Sequence, residues 1–462
     1  MNDGSAVRLR HGALNLIEIL GQSLAVTAPT LTPALNISVV AGLAGMGCWM
    51  SYFIGTVGVI IVAGSVGVLA SRHPQAGSYF VYIGRTFGPF SGALAGWAMV
   101  SAYLFTAVAV SLSFAIFLHN FFDSLGLQLT VLSMGAAMLG FIGIVTYAAY
   151  RDVKLSSRAG LILEGLSVAI IIAITALIVR VKGTALDPPQ LRIGSFRYGA
   201  VMSALPFVIF SFVGFESAAT LAKESADPRR NIPRAVVGCA AFSGIFFTLM
   251  AYFMVFGVGG DTHILAVSTA PFGDVAARAG LGWAAGIVYF AAMISVFACC
   301  LASINAASRL LFSMGKYHFV HRSMGRVHDS HRTPHRAILF LGCTLALVCF
   351  AMLPLGILNA FGYAGTFASF GFVVVYLALC LVAPLDLRRS GELRLRHVVV
   401  GLVGAALMMF VIVGSVYPAP VHPYDLLPYL FIAYMTVGAI WFAVLKRNSP
   451  RTLEMIQHDL EG

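Results

Sequence analysis

The sequence predicts an all-α membrane protein with twelve transmembrane helices, from its composition, its uncharged runs and the placement of its basic residues. Of 462 residues, 59% are hydrophobic and only 10% charged, and the mean hydropathy is +0.90. A soluble domain carries about 45–50% apolar and about 25% charged residues, so a cytoplasmic enzyme, a disordered chain and a fibrous protein are excluded. No Asp, Glu, Lys or Arg occurs within 19–71, 86–122, 124–150, 235–260, 279–308 or 337–385. Each run holds one or two helical crossings of a hydrocarbon core that needs about 20 residues per crossing. The apolar/polar alternation of a transmembrane β-barrel is absent.

Twelve spans fit near 13–43, 46–71, 78–119, 131–150, 156–180, 200–223, 233–257, 281–314, 336–354, 358–385, 397–417 and 425–445. Placing the loops alternately on two sides leaves only Arg180, Lys182, Arg192, Arg197 and Arg278 opposite the N-terminus, so 24 of the 29 basic residues share its side. The positive-inside rule then puts both termini in the cytoplasm of an inner (plasma) membrane protein. The net charge of +11 is thereby assigned to a membrane-facing surface, and nucleic acid is not a partner.

Other function classes fall away by motif. The seven cysteines (Cys48, Cys239, Cys299, Cys300, Cys343, Cys349, Cys380) lie in or at the edges of apolar runs and read as small buried hydrophobes, not as a disulfide frame or a metal site. The N-terminal apolar stretch continues past Leu35 without a cleavage site, so it reads as the first span rather than a signal peptide. No GxxxxGK[ST], HExxH or GxSxG signature occurs, no cofactor is implied, and the glycines of 42–47 read as a turn between spans. His318, His321, His328, His331 and His335 sit among arginines in the loop after span eight, which suits a basic surface beside anionic lipid. Gly92 and Gly96 have the spacing that lets helices approach closely within one chain.

Two spans carry interruptions. In the first, Pro29 and Pro33 stand four residues apart in mid-membrane, and each removes a backbone donor and clashes with the preceding turn. The helix is expected to break near Val26 to Thr30, with Val26, Thr27, Ala28, Pro29, Thr30 and Leu31 as candidate substrate-binding residues. A broken backbone at that depth survives only where protein or a water-filled cavity satisfies its free groups, so the break is a candidate binding site, the alternative being a simple proline kink. A second break is expected in span six at Gly214, flanked by Phe210, Phe212 and Phe215 and followed by the intramembrane acid Glu216. Such an acid faces a cavity or a partner, or caps the second half-helix at its N-terminus. The three phenylalanines either occlude a bound amine by cation–π contact or belong to the core. Interrupted spans five crossings apart and opposite in direction follow the inverted-repeat pattern with a midplane site.

Here the chain resembles the amino acid–polyamine–organocation (APC) superfamily of LeuT-type fold. The likeness rests on GFESAATLAKESADPRRNIPRAV at 214–236, PQAGSY at 74–79, Gly96-Trp97, ASRLLF with Met314-Gly315 around span eight, and Thr333-Pro334. It implies a 5+5 inverted repeat with discontinuous helices 1 and 6: a cytoplasmic tail 1–12, first repeat 13–180, second repeat 181–386, two peripheral helices within 387–446, and a tail 447–462. It also implies uptake or exchange of amino acids or amines. Where many members carry a GxG segment, this chain has Thr27-Ala28-Pro29-Thr30, which looks more like the branch containing putrescine importers. The amides of Leu31 and Thr32 could still face an anionic group.

The resemblance places Glu164, in span five, near the position where proton-coupled relatives carry an ionisable side chain. Taking a carboxyl out of water disfavours its charged form, as a proton carrier requires; an interhelical polar contact is the competing role. Glu18 is expected to pair with a basic gate residue. By family analogy Tyr103, Ser303 or Asn305, and Tyr363 or Thr366 complete the cavity. The resulting expectation is a proton-coupled secondary active permease for an amino acid or biogenic amine, with no catalytic role. An exchanger or a transport-inactive sensor is the alternative.

Overall fold

The computed structural model describes residues 12, 14–73, 78–151, 153–268, 270–417, 420 and 422–448. Pro74, Gln75, Ala76 and Gly77 of the family motif, and nearly all of both expected tails, lie outside these residues. Among the described residues the chain is helical throughout, with one isolated bridge between Leu14 and Ser225. Among the described residues eleven helical stretches are long and apolar enough to cross a membrane.

The first stretch, Leu16–Arg72, has 57 residues and would reach about 85 Å if straight. It is instead divided. Helix α1 (Leu16–Thr27) starts at Asn15, whose side chain accepts from the Glu18 amide at 3.0 Å while Glu18 reaches back to the Asn15 amide at 2.9 Å. It ends at Ala28, which takes a left-handed conformation with φ 47°. A π-helical turn (Thr32–Asn36) leads into α2 (Ile37–Ala44), Gly45 at φ 56° ends that helix, and α3 (Cys48–Arg72) follows.

The sequence reading of 78–119 as one span needs correction. Gly88 has φ 91°, which no helix can continue through, and Pro89 supplies a preset first turn. The segment is therefore α4 (Ser78–Phe87) and the separate α5 (Pro89–Ser124). Next come α6 (Val131–Arg151), α7 (Val153–Lys182), and the short α8 (Pro188–Leu191) and α9 (Tyr198–Ser203). The sixth crossing is split into α10 (Leu205–Phe212) and a 3-10 helix (Ser217–Glu224). The remainder is α11 (Pro228–Gly257), α12 (Thr262–Val267), α13 (Pro271–Arg278), α14 (Ala285–Lys316), α15 (His335–Met352), α16 (Ile357–Arg389), α17 (Leu395–Gly414) and α18 (Leu427–Asn448).

Helices α5 and α14 form the centre. In their most apolar windows 78% and 72% of residues are buried, against 28% or less for the windows in α6, α15, α17 and α18. The outer four therefore present apolar side chains such as Leu132, Leu347, Leu402 and Ile440 outward, where only a hydrocarbon solvent removes the cost of exposure. Cys343 is part of that outer face and is exposed, so the expectation that all seven cysteines are buried fails there; the other six are buried. Gly92 serves packing within the chain: a Cβ there would lie 2.5 Å from the Phe80 carbonyl oxygen and 2.8 Å from Gly84 Cα. Replacing Gly92 by Leu should force α4 off α5. We expect a loss on the order of 1–3 kcal/mol, read as a lower unfolding midpoint of the purified protein; an unchanged midpoint would show the contact to be dispensable.

Candidate functional site

The two interruptions meet. A Cβ on Gly214 would stand 2.1 Å from Val26 Cγ1 and 3.4 Å from the Val26 carbonyl carbon, so this position tolerates no side chain, and its φ of 91° independently favours glycine. The breaks are also joined by hydrogen bonds. The Ala218 amide donates to Ser23 Oγ at 2.9 Å, and Ser217 Oγ donates to the Gln22 carbonyl at 3.3 Å.

In the first break the prolines act on consecutive turns. Pro33 cannot donate to the carbonyl of Pro29, and Pro29 cannot donate to that of Ala25. Groups around the break find other partners: Ala28 N–H reaches the Leu24 and Ala25 carbonyls, Leu31 N–H turns to Ala28, and the Val26 carbonyl accepts from Cys299 Sγ at 3.1 Å. Helix α14 lines this region with Ser295, Cys299 and Ala302, spaced so that all three lie on one helical face. From it the Ala302 carbonyl accepts from Gln22 Nε2 at 2.8 Å.

Glu164 stands beside the first break. It is buried, its Oε1 accepts from Ser295 Oγ at 2.7 Å, and its Oε2 has no hydrogen-bond partner. The backbone of Thr30 also interacts with this carboxyl. Thr30 Oγ1 donates to Ser167 Oγ at 2.9 Å, and Ser167 Oγ donates to the Glu164 carbonyl at 2.9 Å. Position 30 of the break is thus wired to α7 through both its backbone and its side chain.

Glu216 does not cap through its side chain. It occupies the position before the 3-10 helix but makes no side-chain cap bond, because its carboxylate is claimed from the other side. Tyr103 Oη donates to Oε1 at 2.7 Å and Tyr376 Oη donates to Oε2. The Gly214 amide donates to the same Tyr376 oxygen at 3.3 Å, and Tyr79 Oη donates to the Glu216 carbonyl at 2.7 Å. Three tyrosines from α4, α5 and α16 thereby hold the second break in place.

Between the breaks lies a cavity of about 20 Å³ lined by Val26, Thr27, Ala28, Leu31, Phe210 and, unforeseen from sequence, by Asn36, Thr106, Ala109, Val110, Ser211, Val213, Cys299 and Phe361. It holds about one water, far below the ~300 Å³ or more of a ligand pocket, so the breaks are closed upon each other. A larger space, about 550 Å³, lies on the exterior between α6 and α15. The other expected residues are placed differently. Tyr103 and Glu216 bond each other; Phe212 packs edge-on to Phe247 at 5.2 Å and Phe215 against Tyr376 at 5.2 Å. Pro29 and Thr30 form the turn itself, and Ser303 is buried in α14. Tyr363 is half-buried and meets Tyr424 at 4.9 Å, Thr366 bonds its own helix at Gly362, and the Asn305 carbonyl accepts from Arg309 at 3.0 Å.

Towards the side of the N-terminus, ion pairs join the half-helices to the bundle. Glu18, buried, pairs with the half-exposed Arg158. Arg309 Nε and Nη2 donate to the two Glu224 oxygens at 2.6 and 3.2 Å, with both residues buried. Arg72 and His73 both engage Asp386, at 2.8 and 2.9 Å. The sequence offered Glu224 and Arg309 as separate motif residues; their pairing emerges only in three dimensions.

Among the described residues the chain is a bundle of apolar helices with two abutting interruptions. The chain belongs to the amino acid permease family of the APC superfamily, whose profile matches residues 21–445. Among its relatives, the branched-chain amino acid permease BcaP of Bacillus subtilis is 26% identical over 363 residues, covering 75% of this chain and 76% of that protein. The low-affinity putrescine importer PlaP of Escherichia coli K12 is 25% identical over 350 residues, covering 74% and 75%. The chloroplastic cationic amino acid transporter 7 of Arabidopsis thaliana is 26% identical over 323 residues, covering 66% and 54%. The chain is accordingly a multi-pass transmembrane protein of amino-acid transport.

Arg309→Leu should leave Glu224 buried and unpaired, costing about 3–5 kcal/mol. The double replacement Arg309→Leu with Glu224→Leu should recover much of that, and unfolding midpoints of the three variants check the non-additivity.

Proposed function

We propose that this protein is a secondary active permease that carries a zwitterionic amino acid with an apolar side chain, coupled to protons and working by alternating access around the two breaks. The single observation that carries the reading is the contact of Gly214 with Val26, which brings two interrupted helices together around a shared cavity. Counting the 57-residue first stretch as two crossings turns eleven into twelve, and five-plus-five inverted repeats account for why the first and sixth are the broken ones. Loops on the N-terminal side then carry most of the basic residues, which supports cytoplasmic termini.

The chemistry of the lining supports the substrate class. The C-terminal end of α1 presents carbonyls that attract an ammonium group, whereas the amides opening the outer half-helix suit a carboxylate. Val26, Ala28, Leu31, Ala109, Phe210 and Phe361 offer an apolar surface, with Thr27, Asn36, Thr106 and Ser211 as the polar points. No carboxylate lines the cavity, which disfavours a diamine. The second reading, a biogenic amine, is favoured by Glu216, which lies one step behind the lining and would have to be released from Tyr103 and Tyr376 to meet a cation. In either case the present cavity must expand, so substrate entry requires movement of α1 or of the Ser217–Glu224 helix.

Glu164 suits the proton-coupling role because it touches the first break through Thr30 and retains an oxygen without a partner. Protonation removes the acceptor charge facing that backbone and loosens the turn. Glu164→Gln should keep substrate binding and lose uptake driven by an imposed pH gradient; undiminished pH-driven uptake would remove Glu164 from the mechanism. Purified protein screened against amino acids and polyamines should gain thermal stability with its ligand. Counterflow in proteoliposomes should then exchange outside label for inside substrate, which a channel or a sensor would not do.

A further inference from the structure

The 550 Å³ groove between α6 and α15 plays no part in the breaks. Leu139, Gly143 and Tyr147 on one helix and Leu339, Cys343 and Ala346 on the other line it. The helices run in opposite directions, so the C-terminal end of α6 and the N-terminal end of α15 close the same end of the groove. That end is cationic. Arg151, exposed, lies over the Tyr147 ring at 5.3 Å from its centroid, and Arg336 is exposed one turn before Leu339. His328, His331 and His335 gather around the Tyr150 ring at 5.3, 5.2 and 6.4 Å; the carboxylate of Asp329 lies within electrostatic range of His335. The dimensions are informative. From Leu339 to Ala346 and from Tyr150 to Leu139 the groove runs about 10–17 Å along the helices, close to one leaflet of a ~30 Å hydrocarbon core.

We infer that this groove is a binding site for an anionic phospholipid, its acyl chain lying between α6 and α15 and its phosphate held by Arg151 and Arg336. An apolar trench one leaflet deep that ends in exposed arginines matches a molecule with an apolar tail one leaflet long and a negative head. A zwitterionic lipid would fill the trench with a headgroup whose ammonium offsets its phosphate and so meet the arginines with less net charge, and free phosphate would use the charge without the trench. The site also bridges helices whose outer faces are otherwise left to bulk lipid, so occupancy would fasten α6 to α15.

Cys343 provides the probe, being the exposed one among the seven free cysteines and a lining residue. The full-length protein, labelled there with a bimane and reconstituted in phosphatidylcholine, is titrated with phosphatidylglycerol or phosphatidylcholine brominated in the acyl chain. Half-maximal quenching should need on the order of tenfold less brominated phosphatidylglycerol, given two arginines at the surface. Arg151→Gln with Arg336→Gln should abolish that preference. Gly143→Leu, where a Cβ meets nothing within 4 Å, should fill the trench and reduce quenching by both lipids without disturbing the fold. Equal quenching by the two lipids, as expected if another protein's helix covers the groove, would overturn the inference. So would a preference that survives both the arginine and the glycine variants.

Discussion

A polypeptide backbone cannot be left open in hydrocarbon, and this constraint organises the molecule. Two helices are broken at membrane depth, each break frees amides and carbonyls, and each freed group must be met from within the protein. The first break is served by α14 and α7, through Cys299, Ser295, Glu164 and Ser167. The second is served by tyrosines of α4, α5 and α16. Because the partners of one break include residues of the other, Ser23 and Gln22 on one side and Ser217 and Ala218 on the other, neither can move alone. In the proposed function that mutual dependence means that substrate reordering one break would alter the other.

Of the four buried glutamates among the described residues, Glu18 and Glu224 are ion-paired, and Glu164 and Glu216 stand at the breaks in different surroundings. Glu216 has a hydroxyl donor on each oxygen and tethers three helices, so it behaves as a positioning residue for the second break. Glu164 accepts from Ser295 and interacts with the backbone of Thr30 at the first break, which is what suits it to the coupling role proposed above. The ion pairs Arg309–Glu224 and Arg158–Glu18 lie further towards the N-terminal side and fix the half-helix ends that must separate if the cavity is to open there.

Much of this was legible in the sequence because it rests on local rules. Pro29 and Pro33 four residues apart cannot sit in a regular helix, and Gly214 beside an intramembrane acid marks the second interruption. Helix positions followed from uncharged runs, with one failure at Gly88, where a single positive φ divides the stretch 78–119 read as one span. Partners were less legible. Tyr376 is one aromatic in an apolar helix and nothing adjacent marks it as the donor to Glu216; Asn36, Thr106 and Ser211 reach the cavity only through the crossing geometry of the π-helical turn, α5 and α10. Tyr363 illustrates the converse, since its polar group invited a binding role while its position places it against Tyr424.

The proposal that substrate occupies the junction of the breaks is tested most directly by equilibrium binding of a panel of amino acids and polyamines to the purified protein and to its Ala109→Phe variant. Ala109 lines the cavity opposite the breaks, so a phenylalanine there should eliminate binding of the ligand that the unaltered protein takes up, with the variant still monodisperse and helical. Wild-type affinity in that variant, or no binding of any panel member to the unaltered protein, would contradict a substrate site between Val26 and Gly214.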